Sequence, residues 1–258
     1  MLGAIIGDIV GSRFEFNNTK DFNFKLFTDE CDFTDDTICT VAIADAYQQN
    51  LVGLWGLGSN LKDWCRKHPH PMGGYGGSFA RWINSDEYMP YNSFGNGSAM
   101  RVSPVGWLFD TEKEVIVEAT KSAVVTHNHP EGVKGAVATA LAIFYAREYS
   151  KEIMLTKMTD YYPAYTWIEP KVGCNKFDET CQGTMPVVFG ILRKANSFEE
   201  AIRWSVAVGG DSDTIAAIVG SIAEAIWGIP TEMKTRAMSY LPTEMIQVID
   251  KFYDEING

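Results

Sequence analysis

Helix signals recur from one end of this chain to the other, while the apolar–polar alternation of half-buried strands is scarce, and that contrast confines the fold to an all-α class. From Pro130 the run VKGAVATALAIFYAREY places Val133, Val137, Leu141 and Phe144 at helical spacing, with Pro130 suited to a first turn. Ile215, Ile218, Val219, Ile222 and Ile226 repeat the pattern until Gly228-Ile229-Pro230 stops it. Small residues (Ala136, Ala138, Ala140, Ala216, Ala217, Gly220, Ala223) cover much of what remains of both surfaces. Neighbours can therefore approach closely, and both helices are expected at the centre. Thr111-Glu112-Lys113-Glu114 and Ser197-Phe198-Glu199-Glu200 have capping-box spacing and start two more. Further helices are predicted at about 35–50, 57–68, 98–109, 113–126, 151–162, 184–195, 198–208, 231–240 and 243–256. Loops rich in Gly, Asn, Asp and Pro occupy 12–33, 69–78, 90–97 and 163–183. No repeat or linker interrupts the 258 residues, so one domain over 1–258 is expected.

Hydrophobic residues make up 46% and charged residues 21%, an ordinary globular balance that leaves no long disordered segment. A net charge of −11 without a Lys/Arg stripe argues against general nucleic-acid binding, though a small anion remains compatible with a local cationic pocket. The start, Met1 to Asp8, lacks the basic opening of a signal peptide, and no stretch reaches the ~20 apolar residues of a membrane helix. A cytoplasmic, soluble monomer is expected. Cys31, Cys39, Cys65, Cys174 and Cys181 form no metal or redox pair and read as reduced thiols used for packing.

Chemistry concentrates in two acidic clusters, Thr34-Asp35-Asp36-Thr37 and Asp211-Ser212-Asp213-Thr214, each before a helical run. Singly, such residues are ordinary caps favoured by the helix dipole. Asp211 and Asp213 point in different directions on a regular helix, so a shared target requires irregular backbone, which Gly209-Gly210 permits. If the clusters converge, their carboxylates repel unless a cation separates them. An all-oxygen donor set selects Mg²⁺, Mn²⁺ or Ca²⁺ over zinc. Between the clusters, Met72–Phe79 and Gly95–Arg101 are glycine-rich segments able to offer N–H groups to a phosphate, with Arg101 as a nearby cation. His127, in Thr126-His127-Asn128-His129-Pro130, is either a packed ring or a hydrogen-bond donor to a ribose or phosphate. Glu15, between Phe14 and Phe16, sits where an apolar setting can raise a carboxyl pKa and suit it to acid–base work.

In order, GAIIGDIVGS with Phe14-Glu15, FTDDT at 33–37, GGYGGSF at 73–79, NGSAMR at 96–101, THNHP at 126–130 and GGDSDT at 209–214 resemble the ADP-ribosylglycohydrolase family. The resemblance implies a compact orthogonal helical bundle and a site with two Mg²⁺ ions, Mn²⁺ being an alternative. It assigns Thr34, Asp35, Asp36, Asp211, Asp213 and Thr214 as metal ligands. Gly76, Gly77, Asn96, Gly97, Ser98, Met100, Arg101 and His127 become the ADP-ribose cradle. Glu15, with Asp36 and Asp211, becomes the catalytic set. The implied activity is removal of ADP-ribose from a modified protein or small conjugate, with arginine as the expected acceptor; serine, nucleobase and O-acyl linkages are alternatives. A non-catalytic ADP-ribose-binding protein and a different metal hydrolase acting on phosphate esters are the competing classes. The chain is short for this family, which implies that recognition insertions are missing.

Overall fold

The helices expected at the centre of the molecule are so thoroughly apolar or small-faced that only burial on all sides suits them. In the computed structural model, which describes residues 1–258, they are α8 (Pro130–Glu148) and α12 (Ser212–Trp227). Every α12 residue from Ser212 to Glu224 is buried. Before them in the chain come α1 (Leu2–Gly11), α2 (Asp35–Gln48), α3 (Leu54–Lys67), α4 (Gly77–Asn84), α5 (Gly97–Met100), α6 (Ser103–Leu108) and α7 (Glu112–Val124). Between them lie α9 (Lys151–Met158), α10 (Cys181–Lys194) and α11 (Phe198–Ala207), and after them α13 (Thr231–Met238) and α14 (Thr243–Asn257). The fold is all-α; the strand-like features are isolated bridges, Thr34 with Met72 and Gly95 with Thr180. A connected core of 72 buried hydrophobic residues runs from Met1 to Phe252. No helix is long and apolar enough to cross a membrane.

Two expectations need correction. The segment 98–109 is two helices, α5 and α6, because Pro104 in the first turn of α6 lacks the N–H that a continuous helix needs there. The apolar N-terminus, absent from the helices expected above, is α1, and it is buried from Leu2 to Gly11. Its signal is a four-residue spacing of glycine. Gly3, Gly7 and Gly11 share one face, and a Cβ at each would strike the backbone of α12, at Gly220, Ala216–Ala217 and Ser212–Asp213 respectively. α1 and α12 thus pack backbone against backbone. The far end of α1 is anchored as well: the Met1 ammonium lies 2.7 Å from the buried Glu224 of α12. Glu224 also accepts the Gly3 N–H and the Tyr253 hydroxyl of α14.

Both capping boxes form in their hydroxyl half, Thr111 accepting from Glu114 N and Ser197 from Glu200 N. The carboxylate halves differ from expectation: Glu200 accepts the N–H of Asn196, one residue outside the cap, and Glu114 accepts the hydroxyl of Thr111 itself. All five cysteines are free, four of them buried.

Candidate active site

The two acidic clusters meet. Thr34 caps α2, its hydroxyl accepting the Asp36 N–H at 3.2 Å, and Asp35 and Asp36 occupy the first turn. Asp211 is the N-cap of α12 and Asp213 lies inside its first turn. Gly209 and Gly210, at φ 81° and 84°, supply the left-handed backbone that L side chains avoid. This bend brings Asp211 and Asp213 to a common target. Thr214 joins the clusters directly, its hydroxyl donating to Asp36 Oδ2 at 3.1 Å across 178 residues of chain.

The clusters line one end of a cavity of about 450 Å³. Gly76, Gly77, Asn96, Gly97, Met100, Arg101 and His127 line it as well, and Glu15 stands there beside Phe16. Asn96 fixes Asp211 by donating to Oδ2 at 2.7 Å. Two sequence candidates do not reach the cavity wall. Thr34 is buried behind it, and Ser98 is fully buried with its hydroxyl donating to the Gly132 carbonyl at 2.7 Å. Residues to which the sequence motifs assign no role also contribute, notably Phe16, Tyr75, Tyr91, Glu179 and, behind the wall, Asp8. Glu179 arrives because the Gly95–Thr180 bridge draws the 163–180 loop to the rim, a long-range pairing with no local signature.

The cavity carries charge of both signs. At the acidic end, burial first, then neighbouring carboxylates, holds Asp35, Asp36 and Asp213 well above the usual carboxylate range. Glu15, half-buried, is pushed up to about 7 by desolvation and then by Asp211, Asp8 and Glu179. Asp8 is fully buried and rises to about 6, held there against desolvation by hydrogen bonds from Thr34 and Thr37. Asp36 Oδ1 and Asp213 Oδ1 are buried and accept no hydrogen bond. Such orphaned anionic oxygens are costly unless a cation completes them.

Carboxylate oxygens of Asp8, Asp36 and Asp213 lie within 4.8 Å of one another, and so do those of Glu15, Asp211 and Asp213. Asp213 belongs to both groups. The donor set is oxygen only, so the residues present fit a hard divalent cation.

A cation also lines the cavity. Arg101 is 1% exposed and touches no carboxylate; its Nη1 donates to Gly97 O at 3.2 Å, and its Nη2 to Ser122 O and Thr126 Oγ1. Its Nε has no partner. The Thr126 hydroxyl, accepting from Arg101, has its own proton free for His127 Nδ1 at 2.7 Å. Burial, then Arg101, pushes the His127 pKa well below its ordinary value. The ring is therefore held in its neutral form, and its Nε2 faces Gly95 and Gly97.

At the mouth, Phe16 stacks on Phe177 with centroids 5.9 Å apart. Both rings are exposed beside Glu15.

The sequence profile of ADP-ribosylglycohydrolases matches residues 1–258 from end to end. The chain belongs to the ADP-ribosylglycohydrolase family. Among curated relatives, the ADP-ribosylhydrolase ARH3 of Xenopus tropicalis is 24% identical over 325 aligned positions, covering 95% of this chain and 91% of ARH3. The alignment is longer than the 258 residues here, so ARH3 carries insertions that this family member lacks. The ADP-ribosylarginine hydrolase Tri1 of Pseudomonas putida is 24% identical over 268 positions, covering 89% of this chain and 70% of Tri1. A solved structure described as an ADP-ribosylglycohydrolase-related protein complex superposes with a TM-score of 0.77 at 22% identity, over 99% of this chain and 95% of that one, which establishes the shared fold.

Proposed function

We propose that this protein hydrolyses the bond between ADP-ribose and a modified acceptor, with two Mg²⁺ ions held by the paired acidic clusters. The observation that carries the reading is the pair of buried, partnerless oxygens, Asp36 Oδ1 and Asp213 Oδ1, on residues that line the same cavity as an arginine free of any carboxylate partner. One ligand class suits both: a ribose diol at the carboxylates and a diphosphate at the arginine. Asp35 and Asp36, with Thr34 behind them, would hold the ions from one side, and Asp211, Asp213 and Thr214 from the other. Bound there, they would neutralise the carboxylates and orient the ribose hydroxyls beside the scissile bond.

The chain's own residues supply the rest. Asn96 and Thr214 fix one oxygen each of Asp211 and Asp36, so these carboxylates are oriented before substrate arrives. Arg101 braces the Gly97 carbonyl and contributes uncompensated positive charge to the diphosphate end. Neutral His127 donates from Nε2 to a ribose or phosphate oxygen. Glu15, raised to about 7 and placed at the mouth, accepts a proton from the attacking water. The water oxygen bonds to the anomeric carbon, the carbon–acceptor bond breaks, and the proton ends on the departing atom.

An arginine linkage is supported by the mouth itself. Glu15, Glu179 and the stacked Phe16–Phe177 pair offer negative charge and aromatic faces, both of which attract a guanidinium. The relative Tri1 is named for that linkage. The test is release of ADP-ribose from arginine- and serine-modified peptides with Mg²⁺ or with chelator. Release by wild type and none by Asp36→Ala is expected. No release from any acceptor by either protein would overturn the reading, and binding of ADP-ribose without release would make the protein a reader of the modification.

A further inference from the structure

Asp8 is the carboxylate of the acidic group that accepts the most hydrogen bonds, with donors on both of its oxygens. Its Oδ1 accepts the Thr34 hydroxyl at 2.7 Å, and its Oδ2 accepts the Thr34 N–H at 2.9 Å, the Thr37 N–H at 3.1 Å and the Thr37 hydroxyl. With two lone pairs per oxygen, the three donors crowd Oδ2, and Oδ1 shares one of its two lone pairs with Thr34. Asp36 and Asp213, in contrast, each keep one oxygen with no donor. Proximity alone would count Asp8 with them as a ligand, since its oxygens share the 4.8 Å neighbourhood. Its hydrogen bonds point to another role, since all four come from Thr34 and Thr37 at the start of α2.

The Thr34 hydroxyl is constrained in turn. It has one proton and two lone pairs. The proton goes to Asp8, and one lone pair accepts the Asp36 N–H. One lone pair remains, on an oxygen that cannot turn its hydrogen toward a cation while Asp8 stays ionised.

We propose that Asp8 is a positioning residue that fixes the polarity of the Thr34 hydroxyl for the cation and acts on the ion through it. The inference rests on the reading of Thr34 as a ligand given above. It also assigns a purpose to the glycine face of α1, which seats Asp8 against the start of α2 while Gly11 lies against the Cα of Asp213.

Asp8→Asn tests the polarity with little change of shape. The three donors at Oδ2 require the amide oxygen there, so the amide NH₂ faces Thr34 Oγ1. The hydroxyl then accepts, its free lone pair is consumed, and its proton turns toward the ion. Mn²⁺ binding to chelator-treated protein, read from the free-ion electron paramagnetic resonance signal, should weaken about 10- to 100-fold. Thr34→Val should weaken it similarly, and Thr34→Ser should not. If Asp8 acts through Thr34, the double variant binds within about threefold of Thr34→Val alone. Losses that multiply in the double variant would make Asp8 an independent ligand or a through-space charge and overturn the proposal. Wild-type affinity in Asp8→Asn would overturn it too. Should Asp8→Asn fail to fold, Thr34→Val binding as tightly as wild type refutes the relay without it. Absence of Mn²⁺ binding in wild type would overturn the metal reading itself, a result distinct from the others.

Discussion

Gly7→Ala places one methyl group between α1 and α12, and its consequence can be worked from the contact. The new Cβ would sit 2.7 Å from Ala217 N and closer still to the Ala216 carbonyl, both backbone atoms that no rotamer change can move. Restoring an ordinary contact of 3.4 Å at Ala217 N alone moves α1 outward by at least 0.7 Å. Overpacking of a close-packed core costs about 1–3 kcal/mol, and a clash with backbone belongs at the upper end. Replacing glycine by alanine in a helix returns about 1 kcal/mol. The expected net loss is therefore about 2 kcal/mol, or roughly 4–8 °C in the melting temperature of a chain of this size. Asp8 travels with α1, and adding 0.7 Å to its 2.9 Å bond from Thr34 N takes that bond beyond hydrogen-bonding distance. Thermal melts with chelator and with Mg²⁺ read both effects: Gly7→Ala should melt lower and gain less from the ion. Gly76→Ala, whose Cβ would meet nothing within 4 Å, is the control for stability. Helix propensity alone predicts the opposite sign. A Gly7→Ala protein as stable as wild type, or more so, would refute the backbone-to-backbone account.

Other expectations follow from the site. Glu15→Gln should remove the acid limb of the pH–rate profile, since a base with a pKa of about 7 loses function as pH falls through that value; an unchanged limb rejects Glu15 as base. Asp35, Asp36 and Asp213 have raised folded pKa values, so the folded chain holds protons that the unfolded chain releases above the ordinary value of 3.8. Cation-free protein should therefore lose stability as pH rises from there toward neutrality. His127, depressed below 6.5, works in the opposite sense, with stability lost as pH falls below that value. Each group contributes at most about 1.4 kcal/mol per pH unit, so three carboxylates outweigh one imidazole. Melts in chelator should be higher near pH 5 than near pH 7.5, and Mg²⁺ should reverse the order; greater stability near pH 7.5 in chelator would contradict the burial account. Asn96→Ala strips Asp211 of its amide donor and should cost about 1–3 kcal/mol of cation-free stability by denaturant melt, with part recovered on adding Mg²⁺.

The helical class was legible because two helices, α8 and α12, carry so little polar surface that their burial is written into composition. The acidic clusters were legible as pairs, and Gly209-Gly210 announced the bend that lets Asp211 and Asp213 converge. What stayed hidden depended on partners distant in sequence. α1 looked like an apolar opening because its inner face is made of absent side chains, and glycine repeated every four residues draws no apolar stripe for a helical pattern to show. Asp8 showed only as the end of that opening and as one letter of a motif, although its four donors come from residues 34 and 37. Ser98 was misleading for the complementary reason: it lies in a loop motif that lines the cavity, yet its hydroxyl turns inward to Gly132. Glu179 and the Phe16–Phe177 stack required the bridge at Gly95, which no local pattern encodes.

The buried face of α1 has a bearing on how such a protein can diversify. A helix seated on bare backbone, tied at one end to Glu224 and Tyr253 and at the other to residues 34 and 37, has few tolerated substitutions and no slack in register. The loops at 17–33, 69–76 and 163–180, in contrast, consist mostly of exposed or half-buried residues. Lengthening those loops would alter what surrounds the cavity without shifting α1 or the acidic clusters that it braces.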